Sequence, residues 1–98
     1  MKTYYTYIMT NVAGRAGTLY VGVTNNLERR VWEHRTGRGS EFVKEHRLHR
    51  LVWCEDFSRI DDAIGAEKRV KGWTRAKKIA LIEALNPEWK DLAEGWYE

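Results

Sequence analysis

The chain has 98 residues, of which 43% are hydrophobic and 32% charged, and its formal net charge is +3. This is the composition of a globular protein, and the length predicts one domain over residues 1–98 with no room for a second recognition module. No apolar run is long enough to cross a membrane and no signal peptide is recognisable, so we expect a cytoplasmic location.

Two strands are predicted near the start of the chain. Residues 2–9 are rich in Tyr, Thr and Ile, and Tyr7 lies on one of the two predicted faces. Residues 19–24 alternate between an apolar set and a second set that contains Tyr20 and Gly22. The loop between them contains glycines and predicts a hairpin, which would bring the two tyrosines together. Cross-strand aromatic packing alone would also account for them.

A helix is predicted directly after the second strand, because two asparagines break the strand and can cap a helix. One face of this helix carries four residues at i, i+3, i+4 and i+7, namely Leu27, Arg30, Val31 and His34. An Arg and a His in an otherwise apolar stripe either extend to water at its edge or have a chemical role.

A third strand and two more helices are predicted downstream. Residues 41–47 form a helical turn in this interpretation, and residues 48–57 contain the third strand. Ser58 and Asp61 have the spacing of a capping box, which predicts that a helix starts there. The last helix is predicted over residues 74–85.

The helix after the third strand carries a carboxylate among apolar residues. Five of its residues stand at i, i+3, i+4, i+7 and i+11: Ile60, Ala63, Ile64, Glu67 and Lys71. This spacing places Glu67 near the centre of the buried stripe. A buried carboxylate needs a partner, which is either a cation such as Arg30 or Lys71 in a structural ion pair, or a metal ion.

Positive charge is concentrated in parts of the chain. Residues 68–78 contain six cations and no acid, whereas residues 79–98 contain five acids and one cation. This asymmetry predicts a surface that meets polyphosphate, although solvated helix faces would give the same pattern. The candidate nucleic-acid-binding residues are Arg29, Arg38, Lys68, Lys71, Arg75, Lys77 and Lys78.

The order Tyr20-Val21-Gly22, Arg30, His34 resembles the second half of the motif of GIY-YIG nucleases. The triplet Tyr5-Thr6-Tyr7 stands where the first half is expected and keeps only its last tyrosine. A glutamate on a later helix is also part of the family pattern, and Glu67 occupies that place. The resemblance therefore depends on several features in the right order.

The remaining sequence resembles the small single-domain subgroup of this family, which is similar to the N-terminal domain of excision-repair nucleases. The likeness runs from about residue 3 to residue 92. It implies an α/β (α+β) fold with a small three-stranded, mainly antiparallel sheet flanked by helices, in the order β-β-α-β-α-α.

The resemblance implies a metal-dependent endonuclease that cleaves DNA, in repair or recombination. By the same resemblance Glu67 holds one Mg²⁺ or Mn²⁺, and Arg30 binds the nonbridging phosphate oxygens. Either Tyr7 or Tyr20 then takes the proton from water, but a phenol pKa near 10 is high for a base. His34 is the other candidate base, because its ordinary pKa is closer to neutrality.

Two other classes of function are compatible with the pattern. One is a catalytically silent nucleic-acid-binding module of the same fold, and the other is a protein-interaction domain in a repair complex. Joint retention of Tyr, Arg, His and Glu favours the enzyme, because binding alone has no use for a buried carboxylate. Specificity would come from the domain itself or from a partner protein.

Overall fold

The computed structural model describes residues 2–38 and 45–97. The strands are β1 (Tyr4–Thr10), β2 (Leu19–Thr24) and β3 (Arg50–Phe57), and the helices are α1 (Leu27–Arg35), α2 (Ile60–Lys71) and α3 (Arg75–Leu85). The strands form one open antiparallel sheet in the order β2-β1-β3. The predicted α/β fold and the order β-β-α-β-α-α are therefore confirmed. None of the described helices is long and apolar enough to cross a membrane.

β1 lies at the centre of the sheet, and its side chains alternate between two buried faces. Tyr7 and Met9 pack in a cluster with residues of α1, whereas Ile8 packs in a second cluster with residues of α2 and α3. On the second face the Thr6 hydroxyl donates a hydrogen bond to the carbonyl of Ala63 in α2, at 2.8 Å. Helices α1 and α2 thus cover opposite faces of the sheet.

The hairpin register places a glycine under an aromatic ring. Tyr7 of β1 lies opposite Gly22 of β2, so Gly22 and Tyr20 are on the face that contacts α1. A Cβ atom at Gly22 would lie 2.5 Å from both Cζ and the hydroxyl oxygen of Tyr7. The glycine is therefore required because the Tyr7 ring occupies the space that a side chain would need.

The helix starts are partly as predicted. Asn26 and Thr74 are the N-caps of α1 and α3, and each side chain accepts a backbone N–H of the first turn. The predicted capping box at Ser58 is wrong. β3 extends to Phe57, and the N-cap of α2 is Arg59, which makes no side-chain capping bond.

The spacing predicted that Glu67 lies at the centre of the buried face of α2, and this prediction is wrong. The buried residues of α2 are Ala63, Ala66 and Val70, and Ile60 is 44% exposed. The small alanines allow the helix backbone to approach the sheet closely, which turns the stripe away from Glu67. Glu67 lies on its flank with 14% of the side chain exposed.

Helix α3 is tied to the hairpin loop by arginines. The Arg75 guanidinium donates hydrogen bonds to the carbonyls of Arg15 and Gly17 in that loop. The Arg15 side chain in turn forms a two-point ion pair with Glu83 of α3. Arg75 therefore has a structural contact that its place in the basic segment did not predict.

The predicted helical turn over residues 41–47 lies mostly outside the described residues. Within them, residues 45 and 46 are helical.

We predict opposite effects from two Gly→Ala substitutions. Gly22→Ala should lower the free energy of unfolding by roughly 1–3 kcal/mol, because the new methyl group overlaps the Tyr7 ring. Gly65→Ala is the matched control on the exposed side of α2, where a Cβ would meet no atom within 4 Å. It should raise the free energy of unfolding by about 0.5–1 kcal/mol, because alanine is the better helix former. Urea unfolding of both variants measures this, and equal effects would contradict the assigned position of the ring.

Candidate active site

Three of the five predicted catalytic residues form a compact group of rings beside α1. The ring centroids of Tyr7 and Tyr20 are 6.3 Å apart, and those of Tyr20 and His34 are 5.4 Å apart. The Tyr7 hydroxyl and Nε2 of His34 are hydrogen-bonded at 3.1 Å. Tyr7 and His34 are buried and Tyr20 is half-buried, so Tyr20 is the member of the group that reaches solvent.

Strand pairing and helix periodicity bring these residues together. Tyr7 and Tyr20 lie on the same face of adjacent strands, and His34 faces them because it shares the buried side of α1 with Leu27 and Val31. Arg30 lies one turn before His34, and its side chain is 43% exposed. The cation therefore lies at the solvent side of the ring group.

Arg30 is held by a residue that the sequence interpretation missed. Its Nε atom is 3.1 Å from a carboxylate oxygen of Glu33, which also pairs with Arg29 at 3.6 Å. The i, i+3 and i, i+4 spacings of these three residues could have revealed the network. Glu33 is a candidate for orienting Arg30 toward a phosphate.

Burial and charge shift two of the titratable groups in opposite directions. Burial raises the pKa of Tyr7, with a smaller contribution from Tyr20, and Arg30 opposes this rise. Burial, with a smaller contribution from the Arg30 cation, lowers the pKa of His34 to about 4, while Glu33 opposes this change. Near pH 7 Tyr7 is therefore a neutral phenol and His34 a neutral imidazole.

Glu67 is on α2, whose buried residues pack on the face of the sheet opposite to α1, and it lies on the flank of that helix rather than on its buried side. Its Oε1 atom is 3.2 Å from Nζ of Lys71, whose side chain is 56% exposed. No group of three His, Cys, Asp or Glu side chains suited to a metal ion is present among the described residues. A single carboxylate fits a hard divalent cation only where water and substrate phosphate supply the other ligands, which is a common arrangement for Mg²⁺.

The predicted nucleic-acid-binding cations differ in how free they are. Lys68 and Lys71 are exposed near the end of α2, and Nζ of Lys77 lies 5.8 Å from the ring centroid of Trp73. Lys78 is half-buried. The contact of Arg75 with the hairpin loop reduces its availability to a ligand.

The two remaining cations lie on or after α1. Arg29 pairs with Glu33, and the Arg38 guanidinium lies 5.0 Å from the centroid of the Trp32 ring. The predicted cations are thus distributed over both sides of the sheet.

The chain is similar to proteins of one family over most of its length. A family model described as the GIY-YIG catalytic domain matches residues 3–80. A UPF0213 protein of Bacillus pumilus is 38% identical over 72 residues, which is 74% of each chain. One from Lacticaseibacillus paracasei is 32% identical over 89 residues, covering 91% of this chain and 97% of the other. The solution structure of a UPF0213 protein from Bacillus halodurans matches with a TM-score of 0.56 and 26% identity, over 95% of this chain and 97% of that one.

We predict that His34 makes the stability of the protein depend on pH. An unfolded histidine has a pKa near 6.5, whereas burial lowers the pKa of folded His34 to about 4. Between these values the unfolded state binds more protons, so the free energy of unfolding should fall as the pH drops from about 6.5 to 4. The contribution of His34 is roughly 3 kcal/mol over this window.

Urea unfolding of wild type and His34→Gln at several pH values tests this. The glutamine variant should show a shallower loss of stability across the window. His49→Gln removes an exposed histidine and is the control for histidine loss as such. Parallel curves for wild type and His34→Gln would refute the assignment.

Proposed function

Because the chain belongs to the GIY-YIG catalytic-domain family, we propose that it is a divalent-metal-dependent endonuclease that hydrolyses phosphodiester bonds in DNA. The observation that carries the proposal is the ring group of Tyr7, Tyr20 and His34 with Arg30 at its solvent side. A half-exposed cation beside buried, hydrogen-bonded rings is a reasonable place for a phosphate. Aromatic packing alone gives no reason for Arg30 to stand there.

Arg30 has the role of binding the nonbridging oxygens of the scissile phosphate. Negative charge on these oxygens increases in the transition state, so a guanidinium held in advance stabilises the transition state more than the ground state. The ion pair with Glu33 holds the guanidinium before substrate arrives.

Among the three candidate bases, we propose Tyr20 for contact with the attacking water, because it is half-buried whereas Tyr7 and His34 are buried. Tyr7 is unsuited to this role because burial raises its pKa and keeps the phenol protonated. His34 is neutral near pH 7 but buried, and its Nε2 atom is hydrogen-bonded to the Tyr7 hydroxyl. We assign Tyr20 to the water and the Tyr7–His34 pair to positioning its ring.

Glu67 is the carboxylate that would hold one Mg²⁺ or Mn²⁺. When bound, the ion supplies charge neutralisation at the phosphate and the leaving oxygen. Lys68 and Lys71 on the same helix would contact flanking phosphates, because they are exposed and each neutralised phosphate releases counterions. The proposal includes a role in DNA repair or recombination, with a partner protein contributing specificity.

The alternative is a catalytically silent nucleic-acid-binding module of the same fold. The observation in its favour is the ion pair of Glu67 with Lys71, since a carboxylate with a cationic partner needs no metal ion.

We predict that Arg30→Ala lowers the cleavage rate by roughly 100-fold or more while DNA binding changes little. One phosphate contact is a small part of a binding footprint and a large part of transition-state stabilisation. The test uses flapped, nicked, branched and linear DNA with Mg²⁺, Mn²⁺ or EDTA. Arg59→Ala removes an exposed cation on another helix and is the control. Cleavage by Arg30→Ala within a few-fold of wild type would exclude Arg30 as the phosphate-stabilising residue.

We predict that Glu67→Gln abolishes metal-dependent cleavage with little effect on folding. The substitution leaves Lys71 without its partner, but Lys71 is exposed enough to be solvated, so the free energy of unfolding should change by less than about 1 kcal/mol. Lys71→Gln is the matched variant, because it breaks the same ion pair and keeps the carboxylate. It should still cleave at saturating DNA.

Cleavage assays with Mn²⁺ and thermal melts in EDTA separate the two roles of Glu67. Metal-dependent cleavage that survives in Glu67→Gln would exclude Glu67 as the metal ligand. Equal loss of stability in Glu67→Gln and Lys71→Gln, with no metal-dependent cleavage by the wild type, would support the silent module instead.

A further inference from the structure

Three exposed aromatic side chains lie together on the side of α1 that faces away from Arg30. Trp32 is 39% exposed, Trp96 38% and Tyr97 37%. We call these three residues the aromatic patch. Trp96 and Tyr97 are in edge contact with ring centroids 6.3 Å apart, and the Tyr97 hydroxyl donates to the carbonyl of Glu28 in α1. The end of the described chain is thereby held against the helix.

The aromatic patch borders open clefts at the start of α1. One cleft of about 400 Å³ is lined by Asn26, Glu28, Arg29, Trp32 and Tyr97. A second of about 890 Å³ shares the first three of these residues. It continues past Trp96 to the beginning of β1, where Lys2 and Tyr5 line it. The described surface therefore offers two open clefts that share three lining residues at the start of α1, with aromatic rings lining both.

Cations accompany the rings. The Arg38 guanidinium lies 5.0 Å from the centroid of Trp32, and that of Arg35, which also pairs with Asp91, lies 5.2 Å from the centroid of Tyr97. Lys2 and Arg29 line the clefts against one acid, Glu28, which leaves an excess of one positive charge among the lining residues. Exposed rings alternating with cations match a ligand that has flat bases and a phosphate backbone.

We infer that the aromatic patch binds the unpaired strand of a single-stranded or flapped nucleic acid, with bases stacked on Trp32 and Tyr97. Bases in a duplex are already stacked on one another and paired. Only unpaired bases are therefore free to stack on the exposed rings of the aromatic patch. The inference rests on the proposed function in one respect, which is that the strand continues from a phosphate at Arg30. Helix α1 is about 10 Å across with its side chains, so a strand of a few nucleotides spans it. Arg29 lies between the two sides.

The test is equilibrium binding of fluorescent oligothymidine, measured by anisotropy in EDTA so that no cleavage is needed. A blunt duplex of the same length is the second ligand. Trp32→Ala should weaken oligothymidine binding roughly ten-fold or more, because stacking on one ring contributes that much, and should change duplex binding far less. Trp32→Phe should restore most of the affinity, since it keeps a ring at the position.

Ile60→Ala is the matched control, because Ile60 is exposed to a similar extent on another helix. Trp96→Ala provides a second substitution in the patch, and thermal melts show that each variant is folded. Unchanged oligothymidine binding by Trp32→Ala and Trp96→Ala would overturn the inference, as would an equal loss for duplex. Unchanged oligothymidine binding is also the result expected if the patch binds a protein instead.

This experiment is independent of the test of the proposed function. Binding in EDTA with no cleavage in Mg²⁺ or Mn²⁺ would refute the nuclease and retain the patch. Metal-dependent cleavage by wild type, with oligothymidine binding and cleavage both unchanged in Trp32→Ala, would retain the nuclease and refute the patch.

Discussion

The packing of Tyr7 across Gly22 is the constraint on which the site depends. The ring lies where any residue other than glycine at position 22 would place its side chain. The Tyr7 hydroxyl is hydrogen-bonded to Nε2 of His34 on α1. Strand register and helix position are thus joined in one contact. Because Tyr7 is fully buried, a shift of α1 along the sheet would leave polar atoms unpaired, which opposes sliding. Arg30 lies one helical turn from His34, so the contact that fixes α1 also fixes the position of Arg30.

The same burial that fixes the rings also decides their chemistry. A tyrosine and a histidine removed from water both remain neutral, so neither adds charge to the site near pH 7. Arg30 is then the dominant charge beside the rings, held by Glu33 and open to solvent. Arg29 and Arg30 share the single carboxylate of Glu33, so these three residues keep a net positive charge, which favours an anionic ligand such as a phosphate.

Helix α3 and the segment after it serve the fold more than the ligand. Arg75 and Arg15 connect α3 to the hairpin loop. The hydrogen bond from Arg15, and after it the one from the Trp89 indole, lower the pKa of the Glu83 carboxyl to about 2. Farther on, Asp91 pairs with Arg35 of α1. These contacts explain why cations in this region cannot all be counted as free to bind phosphate.

Local pattern determined much of this protein by itself: the strand alternation, the asparagine cap at Asn26, and the i, i+4 relation of Arg30 and His34 all follow from neighbours along the chain. The family assignment rested on such local order and is confirmed. The rotation of α2 was decided only by the tertiary structure, because Ala63 and Ala66 pack closely against the sheet and Glu67 does not. The structural role of Arg75 was decided there too, since its partners Arg15 and Gly17 are about sixty positions away. Periodicity describes one element, whereas partners across the sheet depend on how all the elements pack.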